Sequence, residues 1–204
     1  MTVHLLKPTF QALLRPVARW IARRGGTANQ VTALALLGSL GLGAALGTVG
    51  AWWTPLWLAL PVWCFLRMAL NAVDGLLARE HGQSSRLGTY FNELEDVASD
   101  AALILPLATI GGFRPALIVG IALLASWTEL AGALGPSVGA SRRHEGPLGK
   151  PDRALVLGLL GTWIGWTGSA PPLALALQLA LLALLGVTIL RRMGHAIDEA
   201  GGVS

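Results

Sequence analysis

Apolar stretches of roughly membrane-spanning length alternate along the chain with short polar breaks. The first runs from Val31 to about Gly50 and opens on TANQVT, residues 27–32, where Thr27 reads as an N-cap. The second runs from about Trp52 to Arg79, and the third, Gly88 to about Ile110, is polar in its first half and apolar afterwards. Gly111, Gly112 and Pro115 mark a tight turn before the fourth, from about Pro115 to Leu134. A short fifth, Arg153 to about Gly168, and a sixth, Pro172 to Leu190, end at Arg191 and Arg192. The pattern predicts an all-α integral membrane protein with six transmembrane helices, a domain covering residues 27–204. Ahead of it, residues 1–26 interleave Phe10, Leu13, Leu14, Val17 and Trp20 with Lys7, Arg15, Arg19, Arg23 and Arg24. That reads as a juxtamembrane amphipathic helix lying at the interface, and not as a signal peptide, since no uninterrupted apolar core or small-residue cleavage site is present.

Composition agrees with the membrane setting: 204 residues, 53% hydrophobic, mean hydropathy +0.60. A single cysteine, Cys64, excludes an internal disulfide and a cysteine-based metal site. The net charge of +4 does not indicate nucleic acid, because the basic residues mark one membrane face. Of the 15 lysines and arginines, only Arg114 falls on the far side and Arg67 inside a span. The positive-inside rule therefore puts both termini on the cytoplasmic side of a prokaryotic-type cytoplasmic membrane.

The stretch from Asn71 to Asp100 changes the picture, because it carries Glu93, Glu95, Asp96 and Asp100 into the bundle. A carboxylate facing lipid near mid-span costs roughly 2.5–3.5 kcal/mol, so these must face something polar. At 100° per residue, Asn71, Asp74, Gly75 and Ala78 share one helix face, with Arg67 a turn deeper. Asn92, Asp96, Ser99 and, to one side, Asp100 form the matching stripe on the next helix, with Glu95 on its other flank. The residues from Glu80 to Leu87 suit a short turn that brings the two stripes together antiparallel. Arg67 and Asp100 each lie about 18 Å in from that turn, which predicts a buried ion pair. Hard oxygen ligands of this kind favour Mg²⁺ or Mn²⁺. The plainer reading is a buried hydrogen-bonded helix contact, against which stands the functional default for intramembrane ionisable residues.

Asn71, Asp74, Gly75, Ala78 and Arg79, followed by Gly88, Asn92 and Asp96, resemble the signature of the CDP-alcohol phosphotransferase family, D-x-x-D-G-x-x-A-R then G-x-x-x-D-x-x-x-D. Asparagine replaces the first and third aspartates. TANQVT is similar to the family's T-P-N-x-x-T opening, with Ala28 for the proline. The resemblance implies a homodimeric six-helix enzyme that moves a phosphatidyl group from CDP-diacylglycerol to an alcohol acceptor and releases CMP. It implies metal ligation by Asn71, Asp74, Asn92 and Asp96, with Asp96 as the catalytic base, and donor binding by Gly75, Ala78, Arg79 and Gly88. The cofactor would be Mg²⁺ or Mn²⁺, one or two ions.

Two amides for two carboxylates remove two negative charges from the site. Three outcomes stand open: a weaker two-metal site, a one-metal enzyme in which the substrate pyrophosphate supplies charge, or an inactive relative that binds CDP-lipid or cation as a sensor or assembly subunit. Glu95 is close enough in angle to serve as a substitute ligand. In the loop of residues 135–154, Arg142, Arg143, Lys150 and Arg153 lack apolar periodicity, and G-P-x-G-K-x-D-R resembles the family's stretch on the acceptor side of the cavity. Such donors suit a phosphorylated acceptor such as glycerol 3-phosphate or inositol phosphate. Glu129 either touches the cavity or satisfies a neighbouring helix. A transporter is the weaker alternative, since no pair of broken helices recurs in matching halves.

Overall fold

The computed structural model describes residues 3–202, with side chains from residue 10 onward; Lys7 lies outside the described side chains. Seven α-helices are present among the described residues, and no strand: α1 Val3–Arg23, α2 Ala28–Thr48, α3 Ala59–Glu80, α4 Arg86–Ile104, α5 Pro115–Ala133, α6 Lys150–Thr167 and α7 Ala174–Gly201. Local chemistry sets several boundaries. The Thr27 hydroxyl accepts from the Gln30 amide while the Gln30 side chain accepts from the Thr27 N–H, a reciprocal cap that starts α2. Ser85 caps α4 through the Gly88 N–H at 3.0 Å, and Asp152 accepts from the Gly149 N–H at 2.9 Å where α6 begins. Pro115 opens α5, and Gly168, with φ +72°, closes α6 in the left-handed region.

Packing joins α2 to α3 and α4, α3 to α6 and α1, and α5 to α4 and α7. The glycine-rich run of α2 serves this at two positions. A β-carbon at Gly43 would lie 2.3 Å from the Ala102 carbonyl of α4, and one at Gly38 would meet the Trp63 ring of α3. Gly41 and Gly47 face open space. The main core gathers Leu46, Trp57, Leu60, Leu103, Ile118, Ile164 and Leu185. A smaller cluster, Ala18, Ala28, Val31, Val73, Leu76 and Leu77, seats α1 beside the site-bearing half of α3.

Four helical stretches, Ala28–Thr48, Thr54–Glu80, Pro115–Ala133 and Ala174–Gly201, are long and apolar enough to cross a membrane. Of the six spans expected, α4 and α6 fall outside that set: α4 carries Glu93, Glu95, Asp96 and Asp100, and α6 opens on Lys150, Asp152 and Arg153. The last helix also runs beyond the expected limit at Leu190, to Gly201. Leucines, valines and tryptophans on the outer faces are exposed in number, as a lipid-facing surface requires.

Candidate active site

α3 and α4 meet through their polar stripes. The Asp74 carboxylate Oδ2 accepts from the Thr32 hydroxyl of α2 at 3.0 Å and from the Asn92 amide of α4 at 3.3 Å. Four residues further along α4, Asp96 Oδ1 accepts from the Asn71 amide at 3.3 Å and from Arg67 Nη2 at 3.4 Å, and it pairs with the Lys150 ammonium. The predicted set Asn71, Asp74, Asn92 and Asp96 is therefore brought together, with each asparagine on one helix bonded to an aspartate on the other.

Behind this set runs an alternating chain of buried charges. Arg67, 4% exposed, donates from Nε to Glu95 Oε1 at 3.1 Å and from Nη1 to Asp100 Oδ1 at 2.5 Å, which is the expected Arg67 to Asp100 pair. The other Asp100 oxygen accepts from Arg153 Nε at 2.7 Å. Arg153 Nη2 reaches Glu129 at 2.7 Å, and Arg192 stands 3.6 Å from the same carboxylate. Each carboxylate is compensated on site, which is what makes such burial tolerable away from water. Glu95, expected on the flank as a substitute ligand, is instead the fully buried partner of Arg67 and of the Ser99 hydroxyl. Glu129 resolves toward the second of its two readings, satisfying α6 and α7.

The basic loop separates into distinct environments. Lys150 sits on Asp96, and Arg142 pairs with Glu93 and lies 3.9 Å from Glu129. Arg143 turns to Glu199, Glu145 and the His195 carbonyl. Arg153 is buried, and besides its carboxylates it donates to the Thr128 hydroxyl and the Leu148 carbonyl. In the same loop Glu145 is held below the usual carboxylate range: partial burial opposes ionisation, but backbone N–H donors, His195 and Arg143 outweigh it.

Of the residues expected to hold the donor, Arg79 is exposed and folds over Gly75, where a β-carbon would come within 2.9 Å of its guanidinium. Ala78 is half-buried on the same face, and Gly88 lies against Asn29 at the start of α2. Two contributors carried no role in the sequence reading. Thr32 stands in the TANQVT stretch, but only the packing of α2 on α3 shows that its hydroxyl meets Asp74. Gln83 clamps two loops, its carbonyl accepting from the Ala28 N–H at 2.7 Å and its amide donating to the Gly26 carbonyl at 3.2 Å.

As a cation site the set offers hard oxygen donors, but only two of the four side chains are carboxylates. Among the described residues no three His, Cys, Asp or Glu side chains converge as metal ligands. Two features still fit a cation: Asp74 is 5% exposed with no ion pair, and the Asn71 Oδ1 is a buried acceptor without a hydrogen-bond partner.

No protein-family profile matches the chain. It is 41% identical over 173 residues to the inner membrane protein YnbA of Escherichia coli, covering 81% of this chain and 85% of that one. It is 28% identical over 211 residues to a phosphatidylinositol phosphate synthase of Mycolicibacterium smegmatis, covering 98% and 90%. In fold it resembles the crystal structure of Mycobacterium tuberculosis phosphatidylinositol phosphate synthase with CDP-DAG bound, at a TM-score of 0.73, 20% identity and coverage of 93% and 96%. The same enzyme in complex with manganese and citrate gives a TM-score of 0.72.

Proposed function

We propose that this chain, which belongs to the CDP-alcohol phosphotransferase family, is an integral membrane enzyme that moves a phosphatidyl group from CDP-diacylglycerol to an alcohol and releases CMP. The observation that carries the reading is the convergence of Asn71, Asp74, Asn92 and Asp96 at one junction of α3 and α4, within reach of Lys150. The relatives named as phosphatidylinositol phosphate synthases and the neighbour with CDP-DAG bound support the donor and the reaction class.

In this reading Asp74, with Asn71, Asn92 and Asp96, holds Mg²⁺ or Mn²⁺, as the manganese complex of the structural neighbour supports. The ion would neutralise the donor pyrophosphate and stabilise the leaving phosphate. Asp96 takes the proton of the attacking hydroxyl. Arg79 grips a donor phosphate through its paired N–H groups, and Gly75, Ala78 and Gly88 keep the approach open. An apolar groove of about 310 Å³ between α1, α2 and α3, lined by Leu14, Val17, Ile21, Leu34, Trp63 and Val73, runs along the site-bearing helix α3 and suits a donor acyl chain. A phosphorylated acceptor would meet Arg142 and Lys150, while Arg143 and Arg153 hold the loop and α6 around them.

The reading places the site and both termini on the cytoplasmic side, with α4 and α6 completing six crossings and α1 at the interface. The homodimer is supported by the family resemblance alone. The second reading, a relative that binds CDP-lipid without turning it over, is favoured by Asn71 and Asn92. CMP release from CDP-diacylglycerol, with Mg²⁺ or Mn²⁺ across a panel of alcohols, separates the two. Metal-dependent release that Asp96→Ala abolishes upholds the transferase; donor binding with no release under any combination refutes it.

A further inference from the structure

The buried carboxylates of this protein are not alike. Glu95, Asp96, Asp100 and Glu129 each stand within ion-pair distance of a lysine or arginine. Asp74 alone among the buried carboxylates described has no lysine or arginine within ion-pair distance; its hydrogen-bonding neighbours, the Thr32 hydroxyl and the Asn92 amide, are neutral, and the positive charge that acts on it is the more distant Lys150, seated on Asp96. A buried carboxylate with no counter-charge in contact is costly, and its free lone pairs suit a cation from outside the chain. Three residues earlier on the same face of α3, the Asn71 amide is fixed through its nitrogen on Asp96, leaving its buried oxygen without a partner.

The Asp96 half is arranged the other way. Asp96 already faces Arg67 and Lys150. Lys150 is held in place by its setting at the start of α6, where Pro151 fixes the first turn and Asp152 ties back the Gly149 N–H. From that turn Lys150 meets Asp96, and Arg153, three residues on, meets Asp100, four residues along α4. The two contacts act as rungs between α4 and α6. A second divalent ion would enter against two fixed positive charges with one carboxylate to hold it.

We propose that the site binds one divalent cation, in its Asp74 half with the Asn71 oxygen, and that the Lys150 ammonium seated on Asp96 takes the place of a second ion. This deepens the transferase reading, rests on it for the kind of ion, and narrows its ligand set: Asp96 keeps the role of base and leaves the ion to Asp74 and Asn71. It also matches the sequence, in which two amides in place of two carboxylates remove two of the charges that would hold a second cation.

The test counts Mn²⁺ bound to purified full-length protein in detergent micelles, from the electron paramagnetic resonance signal of the free ion, with thermal unfolding as the check on folding. The wild type is expected to bind one ion, and Asp74→Ala none. Asn71→Asp should still bind one while Lys150 is present. Asn71→Asp combined with Lys150→Met should bind two, with the spectrum of a spin-coupled pair; Asn92→Asp with Lys150→Met provides a second combination if the first folds poorly. Two ions on the wild type, none on the wild type, retention of the ion by Asp74→Ala, or a second ion admitted by Asn71→Asp as readily with Lys150 as without it would each overturn the proposal. So would the absence of a second ion from both folded combinations. CMP release by the same preparation is read separately: one bound ion without release sinks the transferase reading and leaves the ion assignment standing, and release with two bound ions does the reverse.

Discussion

Replacing Arg67 by methionine keeps the volume and removes the one guanidinium that faces Glu95, Asp96 and Asp100 together. The three carboxylates do not suffer equally. Asp96 keeps Lys150, and Asp100 keeps Arg153 at 2.7 Å, but Glu95 is left fully buried with only the Ser99 hydroxyl. Breaking a buried pair by removing one partner costs about 3–5 kcal/mol, and here nearly all of it should fall on Glu95. For a chain of this size about 2–4 °C of Tm is lost per kcal/mol, so the drop should be on the order of 10 °C in a detergent-solubilised thermal unfolding assay. The decisive comparison is the cycle with Glu95→Gln. Neutralising Glu95 in the Arg67→Met background should return most of the loss, with a coupling of about 2–3 kcal/mol. If Arg67→Met lowers stability by less than about 1 kcal/mol, or if Glu95→Gln gives no rescue, the guanidinium is not what makes these carboxylates tolerable.

Asp96→Asn keeps the shape of the catalytic base and removes its charge, and should lower CMP release by about 100-fold or more while the protein still elutes as a folded species. Gly75→Ala places a β-carbon 2.9 Å from the Arg79 guanidinium. Because that is the end of a flexible side chain, Tm should barely change while KM for the CDP donor rises, and an unchanged KM would remove Arg79 from the donor site. Gly43→Ala meets backbone, with 2.3 Å to the Ala102 carbonyl, so α2 and α4 must part; the expected cost is about 1–3 kcal/mol of overpacking, read as a Tm loss of several degrees.

What was legible in the sequence was what helical periodicity alone controls. The spacing of Asn71 with Asp74, and of Asn92 with Asp96, puts each pair on one face, and a short turn opposes the faces whatever the rest of the bundle does. The Arg67 to Asp100 pair followed from equal rise on either side of that turn. The basic loop was not legible in the same way. Arg142, Arg143, Lys150 and Arg153 look equivalent in one dimension, and only the packing of α6 on α3, which turns the first turn of α6 toward α4 and α5, sends Arg153 to Asp100 and Glu129 while Lys150 goes to Asp96. Glu95 misled for a related reason: its angle on α4 admits both the ligand stripe and the Arg67 side, and the packed guanidinium decides between them. Arg192 read as a mark of where the last span leaves the membrane, whereas the helix continues and the side chain closes on Glu129 and the Glu145 carbonyl.

The short turn between α3 and α4 has the look of a convenient splice point for an epitope or a reporter domain, being polar, exposed in large part and far from both chain ends. Gln83 argues against using it. That one side chain closes the α1–α2 connection through the backbone of Gly26 and Ala28, so lengthening the turn would also release the start of α2, from which Thr32 reaches Asp74. Engineers seeking a permissive site for an insertion should expect a graft at 82–84 to blunt the chemistry without touching a single residue that performs it.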